Sequence, residues 1–134
     1  MNEAERQAFL AELHVGVMGI ADGDRGPLTV PVWYSYEPGG DAVVLTGPDS
    51  RKGRLVAKTG RFTMCAQQEA LPYKYVMVEG PVVDVRDGTS SDTEAMAIRY
   101  LGDEGGRAYA ANSEGGSTVY SMRPERWYSF DYGS

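Results

Sequence analysis

Five cations fall within eleven positions of an otherwise acidic chain: Arg51, Lys52, Arg54, Lys58 and Arg61. The first of them follow Ser50 and the turn-forming Gly47-Pro48-Asp49, where the pattern predicts the start of a short helix. A helix N-terminus presents amide N–H groups without intrahelical acceptors, together with a partial positive charge. Cations on that turn cost the helix about 0.3–1 kcal/mol each. Their placement makes sense where an anion completes the site, with the Ser50 hydroxyl as a further donor. The plainer reading is a solvated basic face balancing nearby acids, and charge pattern alone does not separate the two.

A second cluster is the segment LTVPVWYSY. Strand alternation puts Leu28, Val30, Val32, Tyr34 and Tyr36 on one side, and Thr29, Pro31, Trp33 and Ser35 on the other. Pro31 has no N–H to give a ladder, so the strand is open, bulged or at an edge there. A flat polycyclic ligand fits against Pro31 and Trp33, with peptide groups reading its rim. The competing reading makes Trp33 a surface or interface aromatic.

Other chemistries lack their parts. The sequence has no GxGxxG and no GxxxxGK, and Ser50 does not sit in a GxSxG elbow. The single His14 closes a predicted helix, where an imidazole caps the last carbonyls. Cys65 lies in a predicted strand without a basic neighbour and reads as packing. Asp103 and Glu104 fall in a Gly-rich stretch with no geometric signature. One Cys and one His exclude an intrachain disulfide and a Cys/His zinc site, so no metal is expected.

Composition agrees with one small globular domain. The 134 residues are 42% apolar and 24% charged, with a formal charge of −6, and are expected to form a single domain over 1–134. That negative field disfavours nucleic acid and anionic membranes as partners. No apolar run approaches the roughly 18 residues of a membrane span. The acidic, helix-patterned start MNEAERQAFLAELH is unlike a signal peptide, so a cytoplasmic location is expected.

The elements that must position these clusters are mainly strands. Asn2 and Glu5 fit a capping box for a first helix with an apolar face of Phe9, Leu10 and Leu13. VGVMGIA, LTVPVWYSY and AVVLTG read as three strands joined by the turns DGDRGP and EPGGD. RFTMCAQQ and YKYVMVEGPVVDVR are two more, the latter bending at Gly80-Pro81, and STVYSMRPERWYSF is a last one. SRKGRLVAKTG predicts a helix of about two turns, capped by Ser50 and stopped at Gly60. SDTEAMAIRYLG with DEGGRAYAANS predicts one or two helices before the final strand. Six strands joined mostly by hairpins predict an antiparallel β-barrel with helical decoration.

The order of elements resembles the pyridoxamine 5'-phosphate oxidase-like, FMN-binding split β-barrel of the flavin/deazaflavin oxidoreductase superfamily. Within it the chain looks most like the small actinobacterial group B proteins that use coenzyme F420. VPVWYSYEPGG, LTGPDSRKGRLV, the Tyr-Lys-Tyr before VMVEGPV, and RPERWYSFDYG carry the resemblance, which spans roughly Phe9 to Gly133.

The resemblance implies a homodimer with two cofactor sites in grooves between the subunits. Residues matching Pro31, Val32, Trp33, Thr46 and Gly47 flank the tricyclic ring, and those matching Ser50, Arg51 and Lys52 hold the phosphate. Residues matching Tyr73, Lys74 and Tyr75 approach the site, from the same or the other subunit, and Arg54 either meets the acidic tail of the deazaflavin or faces solvent. The implied reaction is hydride transfer from reduced F420 to a conjugated, electron-poor acceptor. The cofactor carries that chemistry, so no catalytic side chain is assigned, and a proton comes from solvent or from a tyrosine such as Tyr75. Pyridoxamine phosphate oxidases carry a longer C-terminal substrate-binding extension rich in Arg and His. This sequence closes at Ser134 with no second His, so oxidation of pyridoxamine phosphate is not expected. An FMN enzyme on the same fold and a non-enzymatic flavin, haem or tetrapyrrole carrier are the alternatives. Haem is the poorer of these, with His14 the lone imidazole.

Overall fold

A computed structural model describes residues 1–133. The first helix, α1 (Glu3–Ala11), opens on the expected capping box: the Glu5 amide donates to Asn2 Oδ1 (2.8 Å) and the Asn2 amide to Glu5 Oε1 (3.0 Å). It buries Phe9 and Leu10. Leu13, expected on the same apolar face, is 56% exposed, because Glu12 is already extended and the helical period stops before it. His14 performs the capping role, its Nε2 3.1 Å from the Phe9 carbonyl and its ring stacked on Phe9.

The strands are β1 (Gly16–Asp22), β2 (Arg25–Val32), β3 (Ala42–Thr46), β4 (Arg61–Gln68), β5 (Lys74–Asp87), β6 (Thr118–Met122) and β7 (Arg126–Asp131). All pairings are antiparallel, in the order β2-β1-β4-β5-β6-β3 with β7 also on β5. The segment that begins in β2 keeps its predicted alternation, with Val32, Tyr34 and Tyr36 buried in the core beside Met18, Met64 and Val76. Just beyond β2, Ser35 bridges Val43 through two hydrogen bonds of 3.0 and 2.9 Å, and among the described residues the two ends of the sheet meet only there. The ladder is therefore not closed, and the fold is the expected antiparallel split barrel.

The sheet has seven strands where six were expected. The last stretch divides into β6 and β7 because the chain crosses β5 at Gly80. A Cβ there would stand 1.8 Å from the Arg123 carbonyl oxygen, so only glycine admits the crossing. The Arg123 and Glu125 amides donate to the Pro81 and Glu79 carbonyls, at 2.9 Å each. Either side of that point β5 serves different partners, β7 along Lys74 to Glu79 and β6 from Val82 to Asp87, with a bulge between Val82 and Asp84.

Helix α2 (Arg51–Thr59) has Ser50 as N-cap and ends at Gly60, whose φ of 71° requires the left-handed region. Helix α3 (Ser90–Ala111) is two helices joined at Gly102, as the sequence allowed. Its Thr89–Asp92 capping box is reinforced by Arg86, which donates to both Asp92 oxygens at 2.7 and 2.8 Å. Arg86, first among several donors, holds the Asp92 carboxyl well below the usual carboxylate range. Cys65 is half-buried in β4, and burial pushes its thiol pKa up, as befits a packing residue. No described helix is long and apolar enough to cross a membrane. Among the described residues no three His, Cys, Asp or Glu side chains converge as a metal site.

Candidate functional site

The two clusters picked out by residue type meet at one cavity of about 450 Å³. Pro31, Val32 and Trp33 form its strand wall, Thr46 and Gly47 its floor, and Lys52 enters from the first turn of α2. Local sequence builds the floor. The Ser50 hydroxyl donates to the Gly47 carbonyl (2.7 Å) and accepts from the Gly53 amide (3.1 Å), which folds the Gly47-Pro48-Asp49 turn into α2. The amides of Arg51 and Lys52, at the first two helical positions, have no intrahelical acceptor.

Two polar groups at this corner lack partners. Thr46 is 2% exposed, and its Oγ1 makes no hydrogen bond among the described residues. A buried hydroxyl without a partner costs about 1–3 kcal/mol, and this one belongs to a residue that lines the cavity. The half-buried Lys52 has no carboxylate partner among the described residues, though the chain carries 19 acids. An apolar strand wall thus runs into a corner with one cation, one hydroxyl and two open amides, a donor set suited to a phosphate.

The other sequence candidates lie elsewhere. Arg51, one step of 100° round the helix from Lys52, pairs with Asp22 at the end of β1. Its hydrogen bond lowers the Asp22 carboxyl, against partial desolvation and with help from the charges of Arg51, Arg25 and Lys58. The Arg54 guanidinium donates to the Asp49 carbonyl. The Ser50 hydroxyl proton is committed to Gly47, so Ser50 shapes the corner and does not line the cavity. Tyr73, Lys74 and Tyr75 stand where β5 begins, also off the cavity of their own chain. There the Tyr73 carbonyl accepts from the Tyr132 amide (3.0 Å), Lys74 Nζ lies 5.9 Å from the Phe9 ring centroid, and Tyr75 stacks with Tyr128. Desolvation, followed by the neighbouring tyrosines Tyr128 and Tyr132, raises the Tyr75 phenol.

A third wall was not foreseen. Thr93, Met96 and Tyr109 of α3 line the cavity, with the loop from Ser113 to Ser117. Trp33 stacks on Tyr100 at 5.1 Å and 8° between planes, and Tyr109 tilts against it at 5.3 Å and 52°. Tyr100 fixes that wall through its hydroxyl, which accepts from the Tyr34 amide (3.0 Å) and donates to the His14 carbonyl (2.6 Å). Tyr109 near the end of a helix and the Gly115-Gly116 pair after it were the available signals. Neither states where a helix docks.

The family model described as pyridoxamine 5'-phosphate oxidase matches residues 3–131. No curated protein matches the chain. Among solved structures, a conserved hypothetical protein from Mycobacterium tuberculosis superposes with a TM-score of 0.73 at 19% identity, covering 98% of this chain and 86% of the other. A protein described as an F420 reductase gives 0.68 at 18% identity, covering 91% and 94%. A FAD-binding protein from Mesorhizobium loti gives 0.66 at 16% identity, covering 96% and 92%.

Proposed function

We propose, from the premise that the chain belongs to the pyridoxamine 5'-phosphate oxidase family, that it is an oxidoreductase that uses reduced F420 to reduce a conjugated, electron-poor organic acceptor. One observation carries the reading: the cavity joins the Pro31–Trp33 wall to the unpaired Lys52 and the orphaned Thr46 hydroxyl. Those residues fit a flat ring tethered to a phosphate. Lys52 and the free amides of Arg51 and Lys52 bind the phosphate, and Thr46 Oγ1 donates to it or to the adjoining chain. Pro31, Val32 and Trp33 orient the ring and keep water from one side of it. When bound, the reduced deazaflavin would supply one hydride, two electrons with one proton. The proton that completes reduction of the acceptor comes from solvent. His14 is not on the cavity, which weighs against a haem carrier.

FMN is the second reading. Arg51 and Arg54 are both engaged within the chain, leaving fewer cations for an acidic tail than the sequence suggested. Equilibrium titration of the purified protein with F420 and with FMN tests both. Tighter F420 binding with turnover of the reduced form upholds the first reading. Tighter FMN binding replaces it with the second, and binding of neither overturns both.

The same reading makes the protein a homodimer. The register aligns Pro31, Val17, Cys65, Met77 and Tyr128 in one row across the outer sheet face, without a charge. Val17, Met77 and Tyr128 are exposed, and the row starts at the cavity wall. A second copy covers this uncharged row without charge repulsion across it, and brings its own Tyr73, Lys74 and Tyr75 toward the groove. Sedimentation equilibrium checks this: a dimer is expected for the native chain and a monomer for Met77→Glu. A monomeric native chain overturns it.

A further inference from the structure

A second cleft, of about 220 Å³, lies between α3 and the outer face of β3 and β6. Val43, Leu45 and Val119 line its sheet side, and Ala95 and Met96 its helix side. Leu45 and Met96 also line the larger cavity, so the two spaces have these two side chains in common. Methionine is unbranched and flexible, the side chain best suited to move aside without breaking a core.

The polar end of the cleft is asymmetric. Arg86 and Asp92 both border it, but they satisfy each other through two hydrogen bonds, and the Asp92 carboxylate also accepts from the Thr89 amide. Arg99 differs. Its Nε donates to the Tyr34 carbonyl (3.0 Å) and one terminal nitrogen to the Ala11 and Glu12 carbonyls (3.3 and 3.1 Å). Among the described residues it meets no carboxylate. The cleft is therefore a mainly apolar slot bordered by an arginine whose charge is met by carbonyl oxygens and by the Tyr34 and Tyr100 rings, and by no carboxylate among the described residues.

Resting on the reading of the larger cavity, we infer that this cleft is the subsite for an acceptor's side arm: an unbranched apolar chain ending in a carboxylate that faces Arg99. The acceptor's conjugated end lies in the cofactor cavity and its arm passes Met96. At the roughly 30 Å³ a water-sized group takes in a liquid, the slot holds about seven methylene-sized groups. Octanoate is the matching probe.

The test is binding of octanoate to the full chain without coenzyme, followed by methyl NMR at Val43, Leu45 and Met96, with octylamine as the cationic control. Octanoate is expected to saturate and to shift those methyls, and octylamine not to. Ala95 is exposed on α3, so Ala95→Leu fills the slot with a good helix former. It should weaken octanoate at least tenfold and leave coenzyme affinity unchanged. Equal binding of octylamine, no shift at those methyls, or octanoate binding indifferent to Ala95→Leu overturns the inference. Coenzyme binding without octanoate defeats this subsite alone. Octanoate binding without either coenzyme defeats the coenzyme reading and leaves the slot as a carboxylate site.

Discussion

Gly53 lies so close to Gly47 that a Cβ on it would stand 2.6 Å from the Gly47 carbonyl oxygen, and 3.0 Å from both Thr46 Oγ1 and Ser50 Oγ. The corner proposed to hold the phosphate therefore depends on a missing side chain. Alanine gains up to about 1 kcal/mol of helix propensity over glycine, but here it must push α2 off a backbone oxygen that has little room to move. Gly53→Ala is expected to lower coenzyme affinity at least tenfold while the barrel remains folded. Fluorescence titration and a thermal melt read the two effects separately.

Lys52 and Arg51 are adjacent in sequence but face different ways, Lys52 lining the cavity and Arg51 pairing with Asp22. Loss of a charge-assisted contact to a phosphate costs about 1.5–3 kcal/mol, so Lys52→Ala is expected to weaken the coenzyme roughly tenfold to a hundredfold. Arg51→Ala removes the Asp22 pair and keeps the Arg51 amide, so its effect on affinity is expected to be much smaller. Equal losses in calorimetric titrations would show that both side chains reach the ligand.

That contrast marks how far the sequence could be read. Ser50 and Gly60 announced α2, the alternation from Val32 to Tyr36 placed the core face, and Arg61 to Gln68 form the strand they promised. These signals are local. Which of two neighbouring cations faces the cavity depends on Asp22, 29 positions from Arg51, and no period in the sequence reports it. The division of the last strand depends on Arg123 passing over Gly80, also a contact between distant residues. The α3 wall escaped for the same reason: Met96 and Tyr109 look like ordinary helix residues until the helix docks. The separation of Tyr73, Lys74 and Tyr75 from the cavity of their own chain follows from where β5 begins.

Acid should destabilise the fold through Asp92 and Asp22. Both carboxyls are held below the usual range by an arginine hydrogen bond, Arg86 for Asp92 and Arg51 for Asp22. The unfolded chain then binds more protons than the folded one as pH falls through about 4. Their contribution is complete above that region and is lost progressively below it. Asp92→Asn is expected to be less stable than the native chain at pH 7, with a gap that narrows steadily as pH falls below about 4. Urea unfolding across that range measures the difference, and a gap independent of pH would contradict it.

The hydroxyl of Tyr100 separates two functions that its ring combines. The ring lies parallel to Trp33, whereas the oxygen joins the Tyr34 amide to the His14 carbonyl and so ties the chain after α1 to the strand wall. Tyr100→Phe keeps the stack and strands two partly buried backbone groups, at a cost of about 1–3 kcal/mol where water cannot replace the bond. Stability should therefore drop while the Trp33 environment is nearly preserved. Tyr100→Leu should lose both, with the emission of Trp33 shifting to the red and coenzyme affinity falling with it. If Tyr100→Phe matched Tyr100→Leu in both readouts, the hydrogen bonds rather than the stacked ring would be what holds Trp33 at the cavity.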